Sequence, residues 1–373
     1  MVRYGLYLSD LQRGRTRSQG IVNYAVGLAN ALPAHLRMGE ELIIYANPVV
    51  GQELEMAKEA SCCRVVMTPP LRSILERLWS DHVRVVQRAR DDRVDVLHFP
   101  KGFLPILSYG IPLISTLHDD IQVKYASGQF GKNRGLRLRP RYFVTATKQA
   151  LRRGSAVLTV SQFSKDCLLD MVQGGPIPSV VVTYQGMTLP VLAALLRKSK
   201  EPVLLHIGST LPHKRSVDAV AWSLRYIQET APWLRLRVLG GLPAEAEDML
   251  HSHGGEHVPE VRTNADIADE LRCSRALVFT SVYEGFGLPP VEALCLGTPA
   301  VYSSTSGTAE VMAGAPGGYN PEEGYSDFAR GLSEALTLND TQVCEWREHF
   351  TQKYSWEQAA RRTLEVYRLV AGV

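Results

Sequence analysis

Two carboxylates eight positions apart frame the stretch of this chain whose residue types are best suited to chemistry, Thr280-Ser-Val-Tyr-Glu284-Gly-Phe-Gly-Leu-Pro-Pro-Val-Glu292-Ala-Leu. It follows a short apolar run and passes through Gly285, Phe286 and Gly287 into a proline-started helix. A helix N terminus presents unsatisfied N–H donors and the positive end of its dipole, so a loop of this kind holds an anion such as phosphate. Glu284 stands before the turn and Glu292 inside the helix. One carboxylate can there accept the hydroxyls of a sugar and the other a ribose diol. Two solvated glutamates beside an ordinary turn would not explain Phe-Gly-Leu-Pro-Pro between them. A second segment, His206-Ile-Gly208-Ser209-Thr-Leu-Pro-His213-Lys214-Arg215, also follows an apolar run. Gly208 lets backbone approach a phosphate there, and Lys214 supplies a compact positive charge. Taken alone, a lysine in such a place is ordinarily exposed surface.

The first of these segments resembles the signature of the retaining family 4 glycosyltransferases of GT-B fold, a glutamate, seven residues and a second glutamate around Gly-Phe-Gly. Four further groups of residues agree with it in chain order and extend the resemblance over nearly the whole sequence. They are Gln19-Gly20-Ile21, Leu117-His118-Asp119-Asp120, the segment from His206 to Arg215, and the pair Thr159-Val-Ser161-Gln-Phe-Ser164-Lys165 and Tyr354-Ser-Trp356-Glu357. The resemblance implies that Glu284 lies at the transferred sugar, that Gly285, Phe286, Gly287 and Leu288 line the sugar and diphosphate, and that Glu292 holds the ribose. It implies a diphosphate site at Gly208, Ser209, His213, Lys214 and Arg215. Lys214 matches the usual basic pair, His213 follows its rarer variant, and Arg215 is the candidate second cation. Gly20 would face the diphosphate from the other domain, and His118 would stand against the donor sugar. Glu284, His118 and Lys214 are the implied catalytic set, and Glu310 matches a helix start beside the nucleotide.

The resemblance further implies a hexosyltransferase that moves a sugar from a nucleotide-diphospho-sugar to an acceptor hydroxyl with retention of configuration. The acceptor would be a sugar or a lipid-linked glycan, in glycan, polysaccharide or glycolipid biosynthesis. The alternatives are a sugar-nucleotide epimerase of the same fold and a non-catalytic nucleotide-sugar-binding subunit. No cofactor is required beyond the donor. Mg2+ is compatible but not indicated, because Asp119-Asp120 is not a D-x-D motif and Lys214, glycine amides and a helix terminus could balance the charge.

The elements that must position these residues alternate in the manner of parallel sheets with helical crossovers, an α/β reading in both halves. Strands are expected at Arg3–Leu8, Glu41–Tyr45, Val65–Thr68, Val94–His98, Leu113–Leu117, Ala156–Val160 and Val180–Val182, then at Val203–Ile207, Leu234–Leu239, Val258–Val261, Ala276–Phe279 and Ala300–Tyr302. Helices are expected from Ile21 to Leu32, closed by Pro33, and over Leu71–Arg90, Ser161–Met171, Val217–Glu229, Asn264–Arg272 and Pro290–Cys295. The tail reads as three helices, with Asp340 and Ser355 as N-caps. The polar stretch ending at Pro202 suits a linker. The expectation is a GT-B fold of two Rossmann-like domains with parallel sheets facing across a deep cleft. Residues 1–195 would bind the acceptor and 196–355 the nucleotide sugar. Residues 356–373 would form a helix that crosses back to the first domain, anchored by Trp356.

Composition bounds the rest. The chain has 373 residues, 45% apolar and 21% charged, which excludes a disordered or fibrous protein. Its six cysteines show no C-x-x-C spacing and read as buried free thiols. His251, His253 and His257 flank Gly254-Gly255 with no cysteine nearby, so they read as exposed loop residues and no metal site is expected. Gly128-Gln-Phe-Gly131-Lys132-Asn133 lacks Walker spacing, and no G-x-G-x-x-G follows a strand.

Net charge is +3, but residues up to Pro190 carry 24 Lys and Arg against 15 Asp and Glu, and the remainder 17 against 23. The stretch from Ile121 to Lys165 has no acid at all. That asymmetry points the first half at something anionic, either a phosphorylated or lipid-linked acceptor or a membrane surface, rather than nucleic acid. No run reaches the ~20 apolar residues of a membrane span and the start lacks a signal peptide, so a cytoplasmic protein is expected, with peripheral contact at the inner face of the membrane left open.

Overall fold

The computed structural model describes residues 1–11, 19–69, 73–130, 139–172, 179–187, 199–260 and 263–373. The chain divides into two compact units, Met1–Gly186 with Tyr354–Val373, and Met187–Lys353.

The first unit holds a seven-stranded sheet in the order β3-β2-β1-β4-β5-β6-β7. Its strands are β1 Val2–Tyr7, β2 Glu40–Ala46, β3 Cys63–Met67, β4 Val96–Phe99, β5 Leu113–Thr116, β6 Ala156–Thr159 and β7 Ser179–Val182. All pairings are parallel; Leu6, for example, lies between Ile44 and His98. Strands covered on both faces read as continuous apolar runs, and β4, β5 and β6 are buried at every position.

The second unit holds a six-stranded parallel sheet in the order β10-β9-β8-β11-β12-β13. Its strands are β8 Val203–Gly208, β9 Arg235–Gly240, β10 Glu256–Val258, β11 Ala276–Phe279, β12 Ala300–Ser303 and β13 Gly318–Tyr319. Its core includes Leu204, Val238, Val278, Val301, Tyr319 and Phe328. In each sheet the chain runs outward from its first strand and then returns to the other side with its fourth. The crevice beside such a reversal, at the carboxyl ends of the strands, is where α/β sheets bind ligands.

The helix Trp356–Ala371 packs within the first unit. Trp356 lies so close to two glycines that a Cβ at Gly27 would stand 2.3 Å from its ring and one at Gly186 2.4 Å. Further along, the Tyr367 hydroxyl meets His98 Nδ1 at 2.6 Å, and the Arg368 guanidinium pairs with Glu40 at 2.8 Å.

Several sequence expectations require correction. The third strand of the second unit is Glu256–Val258, earlier than Val258–Val261, because the edge strand is mixed in polarity. Residues 261 and 262 lie outside the described residues. The three histidines do not share one loop: His251 is on the helix Ala244–Ser252 and His257 on β10. Residues 74–91 form two helical stretches around a wider turn at Ser80–Arg84. The first helix, Gln19–Ala31, runs on through Pro33 as a tighter turn to His35, since proline is tolerated in a first turn. Asn339, not Asp340, caps the helix Asp340–Lys353, with its side chain accepting the Gln342 N–H at 3.0 Å. Of the six cysteines only Cys295 is buried, and Cys344 is exposed. The basic stretch forms the helices Ile121–Ser127 and Arg139–Arg153, while Lys132, Arg134 and Arg137 lie outside the described residues.

Candidate functional site

Three loops leave adjacent strands β8, β11 and β12 at their carboxyl ends, and backbone hydrogen bonds tie them together. After β8 the chain makes a turn at Pro212–Lys214 and enters the helix Ser216–Glu229 through Arg215, which takes a left-handed conformation at φ 51°. Val282 N–H, from the loop after β11, donates to His213 O at 2.9 Å. The Thr280 hydroxyl reaches Lys214 O at 2.9 Å and Arg215 O at 3.1 Å. From the loop after β12, Thr305 Oγ1 donates to Val282 O at 3.1 Å and Ser306 Oγ accepts the Glu284 N–H at 3.0 Å. Gly307 N–H donates to Glu284 O at 2.9 Å.

These bonds bring together the two residues to which the sequence gives most weight. Lys214 Nζ and Glu284 Oε1 form an ion pair at 2.5 Å although seventy positions separate them. Both side chains keep some access to solvent, 28% for Lys214 and 17% for Glu284, so a ligand can reach the pair.

The turn Gly285–Gly287 is itself buried. Gly287 precedes the helix Leu288–Cys295 with φ 83°, and a Cβ there would stand 2.3 Å from Thr308 Oγ1. Only glycine meets both demands. Glu292 is 9% exposed, one turn into that helix. Glu310 lies on the neighbouring helix Ser306–Val311.

Around Lys214 the assignments are uneven. Gly208 is required by the chain just past the neighbouring strand β9, since a Cβ on it would stand 2.7 Å from Gly241 O. Ser209 N–H donates to Ser216 Oγ at 3.0 Å. His213 is 3% exposed, and burial, helped by the Lys214 charge, pushes its imidazole down to about 4. It is therefore neutral near pH 7 in the ligand-free protein. Arg215 is engaged by Asp218 at 2.5 Å and lies over the Trp222 ring, 5.4 Å from its centroid.

His206 is a positioning residue that the sequence did not single out. Its Nδ1–H donates to Val278 O at 3.0 Å, because a carbonyl only accepts, so Nε2 must accept the Ser216 hydroxyl at 3.0 Å. Burial holds this ring neutral, down to about 4. The chain Val278–His206–Ser216–Ser209 thus fixes the start of the loop that carries Lys214.

In the first unit, His118 follows β5. Its Nε2–H donates to Pro100 O at 3.0 Å and its ring stands edge-on to Tyr24 at 4.6 Å. Burial pushes it down to about 4, against the Pro100 carbonyl, so its Nδ1 carries a lone pair at neutral pH. Gly20 is the second residue of the helix Gln19–Ala31 and is exposed; residues 12–18 before it lie outside the described residues.

A buried charge cluster near these residues went unread in the sequence. Asp10, after β1, pairs with Lys101, after β4, at 2.8 Å, with side chains 1% and 18% exposed. Arg77 lies 3.7 Å from Asp10 and 3.5 Å from Asp81. Tyr7 donates to Asp81 at 2.6 Å, and burial together with the Asp10 charge pushes the Asp81 carboxyl up to about 7. The only sequence signal was that Asp10 and Lys101 each follow a strand by a few residues.

Residues 192–353 match the profile of glycosyl transferases group 1, and residues 18–189 that of glycosyltransferase family 4. The O-antigen chain mannosyltransferase B of Escherichia coli is 25% identical over 309 residues, covering 75% of this chain and 76% of that protein. The structure of sucrose-phosphate synthase from Thermosynechococcus elongatus superposes with a TM-score of 0.69 at 17% identity, covering 100% of both chains. Anabaena HepE, solved in complex with UDP and glucose, gives 0.68 at 16%, covering 99% of this chain and 100% of that one. At those identities the likeness is one of fold. With both halves matched in order, the chain belongs to the GT-B-fold glycosyltransferase superfamily that these two profiles describe.

Proposed function

We propose that this protein is a retaining hexosyltransferase that takes its sugar from a nucleotide-diphospho-sugar and delivers it to a hydroxyl of a glycan or lipid-linked acceptor. The observation that carries the reading is the Lys214–Glu284 pair held where the loops after β8, β11 and β12 converge. Lys214 and the N terminus of the helix Leu288–Cys295 place positive potential where the diphosphate leaves. Such groups act in catalysis because negative charge grows there as the glycosidic bond breaks. Glu284, fixed through its own N–H and C=O by Ser306 and Gly307, accepts hydroxyls of the transferred sugar and screens Lys214 until the donor arrives. Glu292 holds the ribose. His118, neutral at physiological pH, offers its lone pair to a sugar hydroxyl rather than a charge to the diphosphate.

No carboxylate in this set is arranged as a covalent nucleophile, and retention follows from attack by the acceptor on the face from which the diphosphate departs. The acceptor is bound by the first unit, whose excess of basic residues favours an anionic or lipid-linked molecule. The helix Arg139–Arg153 carries an exposed Phe143 beside that charge, which suits contact with an anionic membrane surface. The name of the Escherichia coli relative, an O-antigen chain mannosyltransferase, supports a role in polysaccharide assembly.

Nucleotide sugars offered one at a time should include one that raises the melting temperature, since a ligand bound only by the folded state stabilises it by mass action. That donor should be hydrolysed slowly without acceptor, and NMR of the transfer product should show the donor's anomeric configuration. An inverted product would overturn retention. Interconversion of donor sugars without acceptor would replace transfer with epimerisation, and binding without any turnover would leave a non-catalytic subunit.

A further inference from the structure

Away from the strand-end loops, three side chains converge at the edge of the second sheet. Glu247 and His251 stand four residues apart on the helix Ala244–Ser252, and His257 projects from the edge strand β10. Each offers one ligand atom, and these atoms all lie within 4.8 Å of one another. His257 Nε2 meets Gly240 O at 2.8 Å, and Nδ1 meets Glu247 Oε1 at 3.1 Å. A carbonyl can only accept, so the ring proton is on Nε2, and in a neutral imidazole the lone pair of Nδ1 then faces a carboxylate oxygen. Two electron-pair donors at that distance require something positive, a proton or a metal ion, held by both. A histidine that donates one ring N–H to a backbone carbonyl and turns the other nitrogen to an acid has the orientation of a metal ligand with its tautomer fixed from behind.

We infer that Glu247, His251 and His257 form a binding site for a divalent ion of the zinc class, which fastens the helix Ala244–Ser252 to the edge strand. Two imidazoles and a carboxylate are borderline donors of the kind zinc takes, leaving a fourth position for water. Ligand bonds of about 2.0–2.1 Å put tetrahedral ligand atoms roughly 3.4 Å apart, so the group needs only a modest closure. The exposed His251 can make it, whereas the His257 side chain, 8% exposed, is already in place. His253 is turned away, with Nδ1 against Met249 O at 2.9 Å. Gly240, which orients His257, pairs in register with Gly208, the last residue of β8 before the loop of Lys214. The ion would therefore brace the sheet edge two strands from β8, the strand that leads into that loop, and the inference stands whatever sugar the protein transfers.

The test uses the full chain, stripped with chelator, loaded with Zn2+ and dialysed, with bound metal measured by mass spectrometry. One equivalent should remain, and Co2+ in its place should give the visible absorption of a four-coordinate ion. Zn2+ should raise the melting temperature of the wild type but not of the Glu247→Gln/His251→Ala double variant, whose affinity should fall at least tenfold. The Glu247 side chain is 43% exposed and His251 is exposed, so a circular dichroism spectrum like that of the wild type separates lost binding from lost folding. His253→Ala should bind as the wild type does. No stoichiometric metal on the wild type, or equal retention by the double variant, would overturn the site.

Discussion

Both sheets place a lysine–carboxylate pair where the chain leaves their first and fourth strands, and the two pairs are built in opposite senses. In the first sheet the acid follows the first strand and the lysine the fourth, Asp10 with Lys101; in the second the lysine comes first, Lys214 with Glu284. The Asp10 side chain is 1% exposed and lies within a cluster that includes Asp81, Arg77 and Tyr7. Glu284 is 17% exposed, and its partner Lys214 has more access to solvent than Lys101. One fold position thus serves two purposes. A pair shut away from water is bound into the unit's own stability, because removing one partner strands a charge, whereas a pair open to solvent can be exchanged for a ligand at little structural cost.

That contrast can be broken in several ways. Asp10→Ala should have the largest effect on stability, about 3 kcal/mol by analogy with other buried pairs, read from urea unfolding. Glu284→Ala should cost about 1 kcal/mol or less by the same measure. Equal losses would erase the distinction between the pairs.

Activity should show the reverse order. Lys214→Ala should weaken donor binding and Glu284→Ala should depress kcat, each by more than tenfold, or above ~1.4 kcal/mol, in steady-state kinetics. The two should couple by about 1 kcal/mol in a double-mutant cycle, since each partner's loss leaves the other unpaired. Strict additivity would mean that the pair does not act as one.

A smaller effect concerns pH. The Asp81 carboxyl is raised to about 7 in the folded chain, so between its ordinary range and pH 7 the folded state holds a proton that the unfolded state has lost. This contribution is favourable at low pH and disappears as pH rises through 7. Asp81→Asn keeps an acceptor for Tyr7 and carries no charge, so its melting temperature relative to wild type should be higher at pH 8 than at pH 5.5. A difference that does not vary with pH would remove Asp81 from the account. The smallest effect sharpens the loop geometry: Thr280→Val, which strips the hydroxyl from Lys214 O and Arg215 O, should cost about 1 kcal/mol of stability and raise KM for the donor more than it lowers kcat.

Legibility in the residues divides along the same line. Central strands such as Ala276–Phe279 are apolar at every position and declare themselves, whereas β10, Glu-His-Val at an edge, and the two-residue β13 carry no such pattern. Glu284 and Lys214 were legible because each sits in a short local pattern of glycine, proline and charge. Thr280, Ser306, Ser216 and His206 were not, since they act by bonds to backbone that only the folded sheet brings near. The Asp10–Lys101 pair shows the limit most clearly: ninety-one positions separate two ordinary residues, and only strand order makes them neighbours.

The helix Trp356–Ala371 has a consequence for the order of events at the ribosome. Its buried face, with Leu364 and Tyr367, and the Trp356 ring between Gly27 and Gly186 belong to a unit whose other residues are translated before the second unit begins. The early half must therefore wait with that surface uncovered while residues 187–353, contiguous in the chain, emerge with all their own parts present. The helix made after the second unit completes what was begun before it, closing a core that the first 186 residues leave open.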